Sequence, residues 1–439
     1  MHKPMTDDVR RIMAEGPFTV LQVIAVGVCV CLNMLDGFDI LAMSFAASGV
    51  KSAWHLDDSH LGYLLSAGLV GMAIGSLAIA PWADRIGRRP VVLLSVTIAG
   101  LGMMASAAAA GFPQLMILRI CTGVGIGGTI ASAAVIASEY APERWRSVAL
   151  AVYATGYSIG ATVGGLLTAL AIRHSGWRSA FVIGGALSLA LVPVAWRLLP
   201  ESIDFLLVRR PPNALQRVND LLIRMRRTPL SVLPDHVASD HQSRGVLALL
   251  GASTTRVAMF AWVMFFCAMG GWYFIASWTP RLLTAAGLSA SQGLSAGILL
   301  NLGGIAGCGL YAWGASLVNA RSLLAVALVA TALLIATFGF SLGNLSVALG
   351  IAVLLGVIAN SVMAGLYAVG PGLYPTPVRA TGMGAAIGIG RIGAILAPTV
   401  SGALLDAGWT PKGLYLAFAA PYCVAALALW CIGLRSEQE

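Results

Sequence analysis

Apolar residues fall in long runs interrupted by polar clusters, and the runs exceed the usual length of a globular helix. They lie at approximately 19–45, 61–82, 90–110, 114–137, 147–172 and 178–199. A polar, Arg-rich stretch from Glu201 to Arg256 follows, containing Arg209-Arg210-Pro211-Pro212 and Arg224-Met225-Arg226-Arg227. Six further runs occupy 257–283, 292–316, 321–341, 344–369, 380–405 and 413–434. A helix needs about 20 apolar residues to cross the hydrocarbon of a bilayer, so each run is a candidate span. The pattern predicts an all-α membrane protein of twelve transmembrane helices in two pseudo-symmetric six-helix halves. Residues 1–200 and 257–439 form the halves, and 201–256 the loop between them.

The halves echo each other. Pro142-Glu143-Arg144-Trp145-Arg146 precedes the fifth run, and Pro375-Thr376-Pro377-Val378-Arg379 the eleventh. Arg146 to Gly160 and Arg379 to Gly393 are both 14 residues, and Gly176-Trp177 and Gly408-Trp409 close the two units. Shared offsets across several markers indicate duplication, which in transporters puts a central site between two repeats.

Composition agrees. The 439 residues are 58% hydrophobic and 10% charged, with mean hydropathy +0.85, whereas soluble proteins carry about 25% charged residues. The net charge of +9 is no nucleic-acid signal, because its placement follows the membrane. About 20 of the Lys and Arg residues lie in loops on one side, including Arg10, Arg11, Arg85–Arg89, Arg144, Arg146, the central loop, Arg379 and Arg435. About five (Lys51, Arg173, Arg178, Arg281, Lys412) lie on the other, so the positive-inside rule puts both termini and the central loop in the cytosol. The polar N-terminus, Met1 to Pro17, does not resemble a cleavable signal. The seven Cys all fall in apolar runs without metal or disulfide spacing and read as packing residues. No metal and no cofactor is expected.

The first run carries Asp36-Gly37-Phe38-Asp39. Carboxylates inside a membrane are costly and must face a bundle interior or a wet cavity. Spacing i, i+3 places Asp36 and Asp39 on one face. Two acids that close repel, so one should hold its proton more tightly; the alternative is a structural pair bonded to neighbouring helices. The fourth run carries Arg119, roughly 9 Å along the helix from Pro113 and at a depth comparable to the two acids. Arg stays charged, so Arg119 needs an acid, carbonyls or an anion. Pairing with the acids would serve either coupling or a permanent buried bridge. Arg391 lies roughly 18 Å beyond Arg379, with no acid in the second-half runs beside it. It invites a carboxylate, which matches its two-pronged donor face, or else helix carbonyls satisfy it. Tyr157, Tyr273, Trp278, Asn301 and Tyr367 are further candidates for ligand contact. Interfacial anchoring or helix–helix bonding would serve them equally well. Asn360 is similarly ambiguous.

After the second run comes Ala80-Pro81-Trp82-Ala83-Asp84-Arg85-Ile86-Gly87-Arg88-Arg89. Asp84, Arg85, Arg88 and Glu139, which closes the fourth run, form a candidate cytosolic gate. This stretch resembles the major facilitator superfamily motif Gly-x-x-x-Asp-Arg-x-Gly-Arg-Arg/Lys, with Ala80 in place of the first Gly. The matching second-half loop, Gly314 to Arg321, lacks the Asp. Asp36-Gly37-Phe38-Asp39, Pro200-Glu201-Ser202, Trp278-Thr279-Pro280 and the stretch from Tyr374-Pro375 to Arg391 resemble the aromatic acid/proton symporter family within that superfamily.

The resemblance covers nearly the whole chain. It implies the major facilitator fold and import of an aromatic carboxylate, such as a hydroxybenzoate, with protons as the coupling ion. It also implies that Asp36 and Asp39 are functional residues, with Arg119 beside them. Muconate, a sugar or another solute is the alternative cargo. A drug exporter is disfavoured, because Ala161 stands where such antiporters have Pro. A membrane enzyme or sensor is the competing class. All six His (His2, His55, His60, His174, His236, His241) lie in loops or tails, and no nucleophile–base set is evident. The expected setting is a bacterial-type inner membrane, multi-pass, with a small carboxylate and the lipid bilayer as partners, no nucleic acid, and a monomer sufficient for function.

Overall fold

The computed structural model describes residues 18–233, 255–375 and 378–436. Arg10, Arg11, His2, His236, His241 and the Thr376-Pro377 pair lie outside them. The helices are α1 Val20–Trp54, α2 Asp58–Ala78, α3 Ala80–Ile86, α4 Arg88–Ala107, α5 Phe112–Tyr140, α6 Arg146–Ser175, α7 Arg178–Leu198, α8 Ile203–Arg209, α9 Ala214–Arg224, α10 Thr255–Ala285, α11 Ala290–Leu317, α12 Ala320–Ser341, α13 Leu345–Val369, α14 Arg379–Asp406 and α15 Pro411–Ser436. Among the described residues, twelve stretches are long and apolar enough to cross a membrane. The protein is a multi-pass membrane protein.

Local sequence sets the helix ends. Asp57 accepts from the His60 N–H at the start of α2. Ser289 and Gln292 form a reciprocal capping box at α11, satisfying amide donors that lack a partner in the first turn. At the far ends of α6 and α14 the chain turns through Gly176 and Gly408, both at positive φ. The two markers of the sequence repeat are thus the same backbone device.

The repeat extends to packing. In the first half α1 packs on α6, α2 on α5, and α4 on both α5 and α7. In the second half α10 packs on α14, α11 on α13, and α12 on both α13 and α15. The halves meet through α2 against α14, α6 against α11, and α1 against α10. Between α1 and α6 the backbones touch: a Cβ at Gly37 would lie 1.9 Å from the Tyr157 carbonyl oxygen, and one at Gly160 would lie 1.9 Å from that of Met34. Small residues permit such contact where lipid offers no hydrophobic drive between helices.

The described part of the central stretch is not simply a polar loop. Helices α8 and α9 bury Leu206, Leu207, Val218, Leu221, Leu222 and Met225 against Leu21, Val92, Val96, Ala137 and Tyr140. The spacing of Ala214, Val218, Leu221, Leu222 and Met225 is that of an amphipathic helix face, which the surrounding arginines obscure in the sequence.

Candidate functional site

Helix α1 holds Asp36 and Asp39 one turn apart, and the structure gives them different surroundings. Arg119 from α5 grips Asp39 with two bonds, Nη1 to Oδ1 at 2.5 Å and Nη2 to Oδ2 at 2.7 Å. The side chains are 2% and 1% exposed, and the guanidinium lies 5.8 Å from the Phe181 ring centre. Asp36 is also buried, but its Oδ1 has no hydrogen-bond partner. The two acids therefore do not form the shared pair that their spacing suggests. One is committed to Arg119 and the other is uncommitted.

Asp36 faces a cavity between the halves. Leu69, Met72 and Ile130 line it from the first half; Met269, Tyr273, Tyr367, Arg391 and Ala394 line it from the second. Arg391 donates to the Met72 carbonyl oxygen at 3.2 Å and to Ser76 Oγ at 2.9 Å, both across the junction. These partners are neutral, so Arg391 keeps its full positive charge at the cavity wall. The acid that shares its cavity is Asp36 of the other half, which a search for acids within its own half does not find.

The remaining candidates divide. Tyr273 and Tyr367 line the cavity, and Tyr157 packs against the same apolar cluster as Tyr273 without lining it. Trp278 is fully buried away from the cavity, donating its Nε1–H to the Pro398 carbonyl at 3.2 Å. It is a helix-packing residue here, not a stacking wall. Asn301 donates to Gly297 of its own helix at 2.9 Å, and Asn360 likewise to Gly356 at 2.9 Å. Neither lines the cavity.

At the end of the bundle that carries α3, Arg88 pairs with Glu139. Glu139 also accepts from Ser202 Oγ at 2.7 Å and the Ile203 N–H at 3.2 Å. Glu201 Oε1 accepts the first N–H groups of α4, from Arg88 at 2.8 Å and Arg89 at 3.1 Å. An anion is favourable at such a helix start. Gly87 turns the chain there at φ 107°. Asp84 is 3.9 Å from Arg88 and largely exposed, and Arg85 is exposed. These bonds tie the first half to the segment leading into α8, so the expected latch is an internal brace of one half. Glu201 is its missed member; the Pro200-Glu201-Ser202 turn was its signal.

At the opposite end, polar bonds join the two halves. Asp406 at the close of α14 accepts from the backbone N–H groups of Asp58 at 3.0 Å and Ser59 at 2.8 Å. Arg281 reaches Asp58 at 3.4 Å, and Lys51 reaches it at 2.7 Å. Deeper, Ser66 bonds the Ile395 carbonyl at 2.6 Å and Thr399 at 2.9 Å, while Ser44 bonds the Ser277 carbonyl at 2.6 Å. The backbone N–H and ring of His60 hold the nearby Asp57 carboxyl below the usual range.

Two six-helix repeats around a polar cavity are the architecture of a secondary transporter. The family model of the major facilitator superfamily matches residues 28–386. A gallate transporter of Pseudomonas putida is 33% identical, over 99% of this chain and 97% of that protein. The 4-hydroxybenzoate transporter PcaK of the same species is 32% identical, over 98% and 97%. The 3-(3-hydroxy-phenyl)propionate transporter of Escherichia coli is 30% identical, over 94% and 95%. The partially occluded, inward-open structure of the xylose transporter XylE from E. coli superposes with TM-score 0.76 at 16% identity, over 94% of this chain and 98% of that one, a likeness of fold. The chain belongs to the major facilitator superfamily and, within it, to the aromatic acid/proton symporter family.

Proposed function

We propose that the chain imports a small aromatic carboxylate, of the hydroxybenzoate kind, together with protons across a bacterial-type inner membrane by alternating access. The observation that carries the reading is the cavity between the halves, where Arg391, Tyr273 and Tyr367 stand opposite Asp36. A fixed cation answers a carboxylate, two aromatic rings offer faces to a planar ring, and an uncommitted acid offers a place for a proton. Relatives named for gallate and 4-hydroxybenzoate fit this chemistry.

The excess of Lys and Arg at the α3 end supports its placement, with both termini, in the cytosol. On that orientation the Asp406 and Asp58 bonds hold the outer face shut, and the cavity serves the cytosolic side. Residues from both halves of one chain complete the cavity, which supports a monomer as the working unit. The coupling ion is the proton, with no further cofactor.

Uptake of labelled gallate, 4-hydroxybenzoate, benzoate, muconate and xylose into proteoliposomes under an inside-alkaline gradient tests the reading. Concentrative uptake of the aromatic acids is expected. Uptake of muconate or xylose alone would replace the cargo assignment.

A further inference from the structure

The coupling device has a definite arithmetic in the geometry of four charged side chains within the described spans: Asp36, Asp39, Arg119 and Arg391. Asp39 and Arg119 form a closed two-bond pair, each side chain at most 2% exposed. Opening it would leave two buried charges unpaired, which is strongly unfavourable. That pair sums to zero, with both Asp39 carboxylate oxygens held by Arg119. The uncommitted charges are Asp36, whose Oδ1 has no partner, and Arg391, whose partners are the neutral Met72 carbonyl and Ser76 hydroxyl. Both line one cavity.

We propose that Asp36 alone exchanges the coupling proton and that Arg391 is handed from Asp36 to the substrate's carboxylate, so that one monovalent acid enters with one proton and no net charge. This rests on the aromatic acid reading above.

The balance follows from which groups can titrate. An arginine does not titrate in the working range, and the phenols of Tyr273 and Tyr367 at the wall are neutral at pH 7. With the cavity empty, ionised Asp36 and Arg391 cancel. A substrate carboxylate brings the sum to −1 in a poorly solvated space, where an unbalanced charge is costly. A proton on Asp36 restores zero, and the substrate becomes the partner of Arg391. On release the carboxylate leaves, Asp36 gives up its proton to water and again balances Arg391. The two neutral states, empty with Asp36 ionised and loaded with Asp36 protonated, are those that cross when the halves rock. A bare proton gives +1 and a bare anion −1; both are penalised, so neither leaks.

The test uses the full-length protein in proteoliposomes with labelled 4-hydroxybenzoate, subtracting passive entry into protein-free vesicles. One unit of inside-alkaline gradient should support up to about tenfold accumulation. A potassium–valinomycin potential, inside negative at equal pH, should support none. Accumulation driven by that potential in the wild type would mean more than one proton per anion and would overturn the proposal. Asp36→Asn leaves Arg391 unbalanced in the empty cavity, so it should lose pH-driven accumulation and keep only exchange of external for internal 4-hydroxybenzoate through its neutral loaded state. pH-driven accumulation that survives in Asp36→Asn also overturns the proposal. If this variant fails to fold, the two-gradient comparison on the wild type decides alone. Failure of the wild type to accumulate or exchange 4-hydroxybenzoate under any gradient is a separate result, and it would remove the aromatic acid reading itself.

Discussion

On the proposed function, substrate recognition turns on Arg391. Wild-type protein should bind an aromatic acid far more tightly than its neutral amide. The preference should be roughly 30-fold or more, the worth of a buried charge-assisted pair. Arg391→Ala should bind both weakly and without preference. Arg391→Lys keeps the charge but loses the planar fork, so it should recover little. Calorimetry on purified protein checks all three, and a mutant that still discriminates as wild type does would move the carboxylate elsewhere. Asp39 and Arg119 call for a different measurement, because their bond is structural as well as electrical. Asp39→Asn or Arg119→Met should each lower stability by about 3–5 kcal/mol, since each strands a buried charge. The double change to Asp39→Leu with Arg119→Met should cost less than either single one, read as melting temperature in detergent. Equal or greater loss in the double variant would show that the pair itself carries the stability.

At the scale of elements, the contact of α1 with α6 explains why a Gly stands between the two acids. Any side chain at 37 meets the Tyr157 carbonyl at 1.9 Å, and the helix would have to lift, carrying Asp36 and Asp39 with it. Gly37→Val should therefore give little monodisperse protein on a sizing column. Gly27→Ala, on the same helix with nothing within 4 Å of the added Cβ, should behave as wild type or slightly better, by at most about 1 kcal/mol. Normal behaviour of Gly37→Val would refute the close packing. The α3–α4 brace makes a second contrast. Asp84 is exposed and distant from Arg88, so Asp84→Asn should change stability by under about 1 kcal/mol. Glu139→Ala removes the acceptor of Arg88 and Ser202 together and should lower the melting temperature clearly more. A larger effect at Asp84 would invert that ranking.

The whole molecule moves by exchanging one closed face for the other. The bonds between Asp406 and the start of α2 join the halves at one end, and they must break when that end opens. Asp406→Asn replaces a carboxylate at a helix start by an amide, which weakens its hold on the Asp58 and Ser59 N–H groups. Spin labels at Ala110 and Gly343, exposed at that end in the two halves, should report a larger population of long distances in Asp406→Asn than in wild type. Identical distance distributions would show that Asp406 plays no part in closure.

Much of this protein is determined by sequence alone. Runs of about 20 apolar residues can only be spans, twelve of them around one polar stretch define two halves, and repeated offsets define the duplication. Charges buried in such runs mark functional positions because nothing else keeps them there, and Asp36, Asp39, Arg119 and Arg391 were visible on that ground. Their partnership was decided only by the fold. Which of two acids one turn apart receives Arg119 depends on how α1 and α5 are rotated. Asp36 and Arg391 are 355 positions apart and line one cavity because the halves face each other. Trp278 and Asn301 look like ligand groups in a linear reading, since a polar atom in an apolar run gives no direction, and packing turned them to the Pro398 and Gly297 carbonyls. Glu201 and Asp406 each sit at the edge of a run, where an acid costs little, so the apolar pattern assigns them no bonding role. Their value lies in the helix start that another part of the chain brings to them, a proximity that no local pattern encodes.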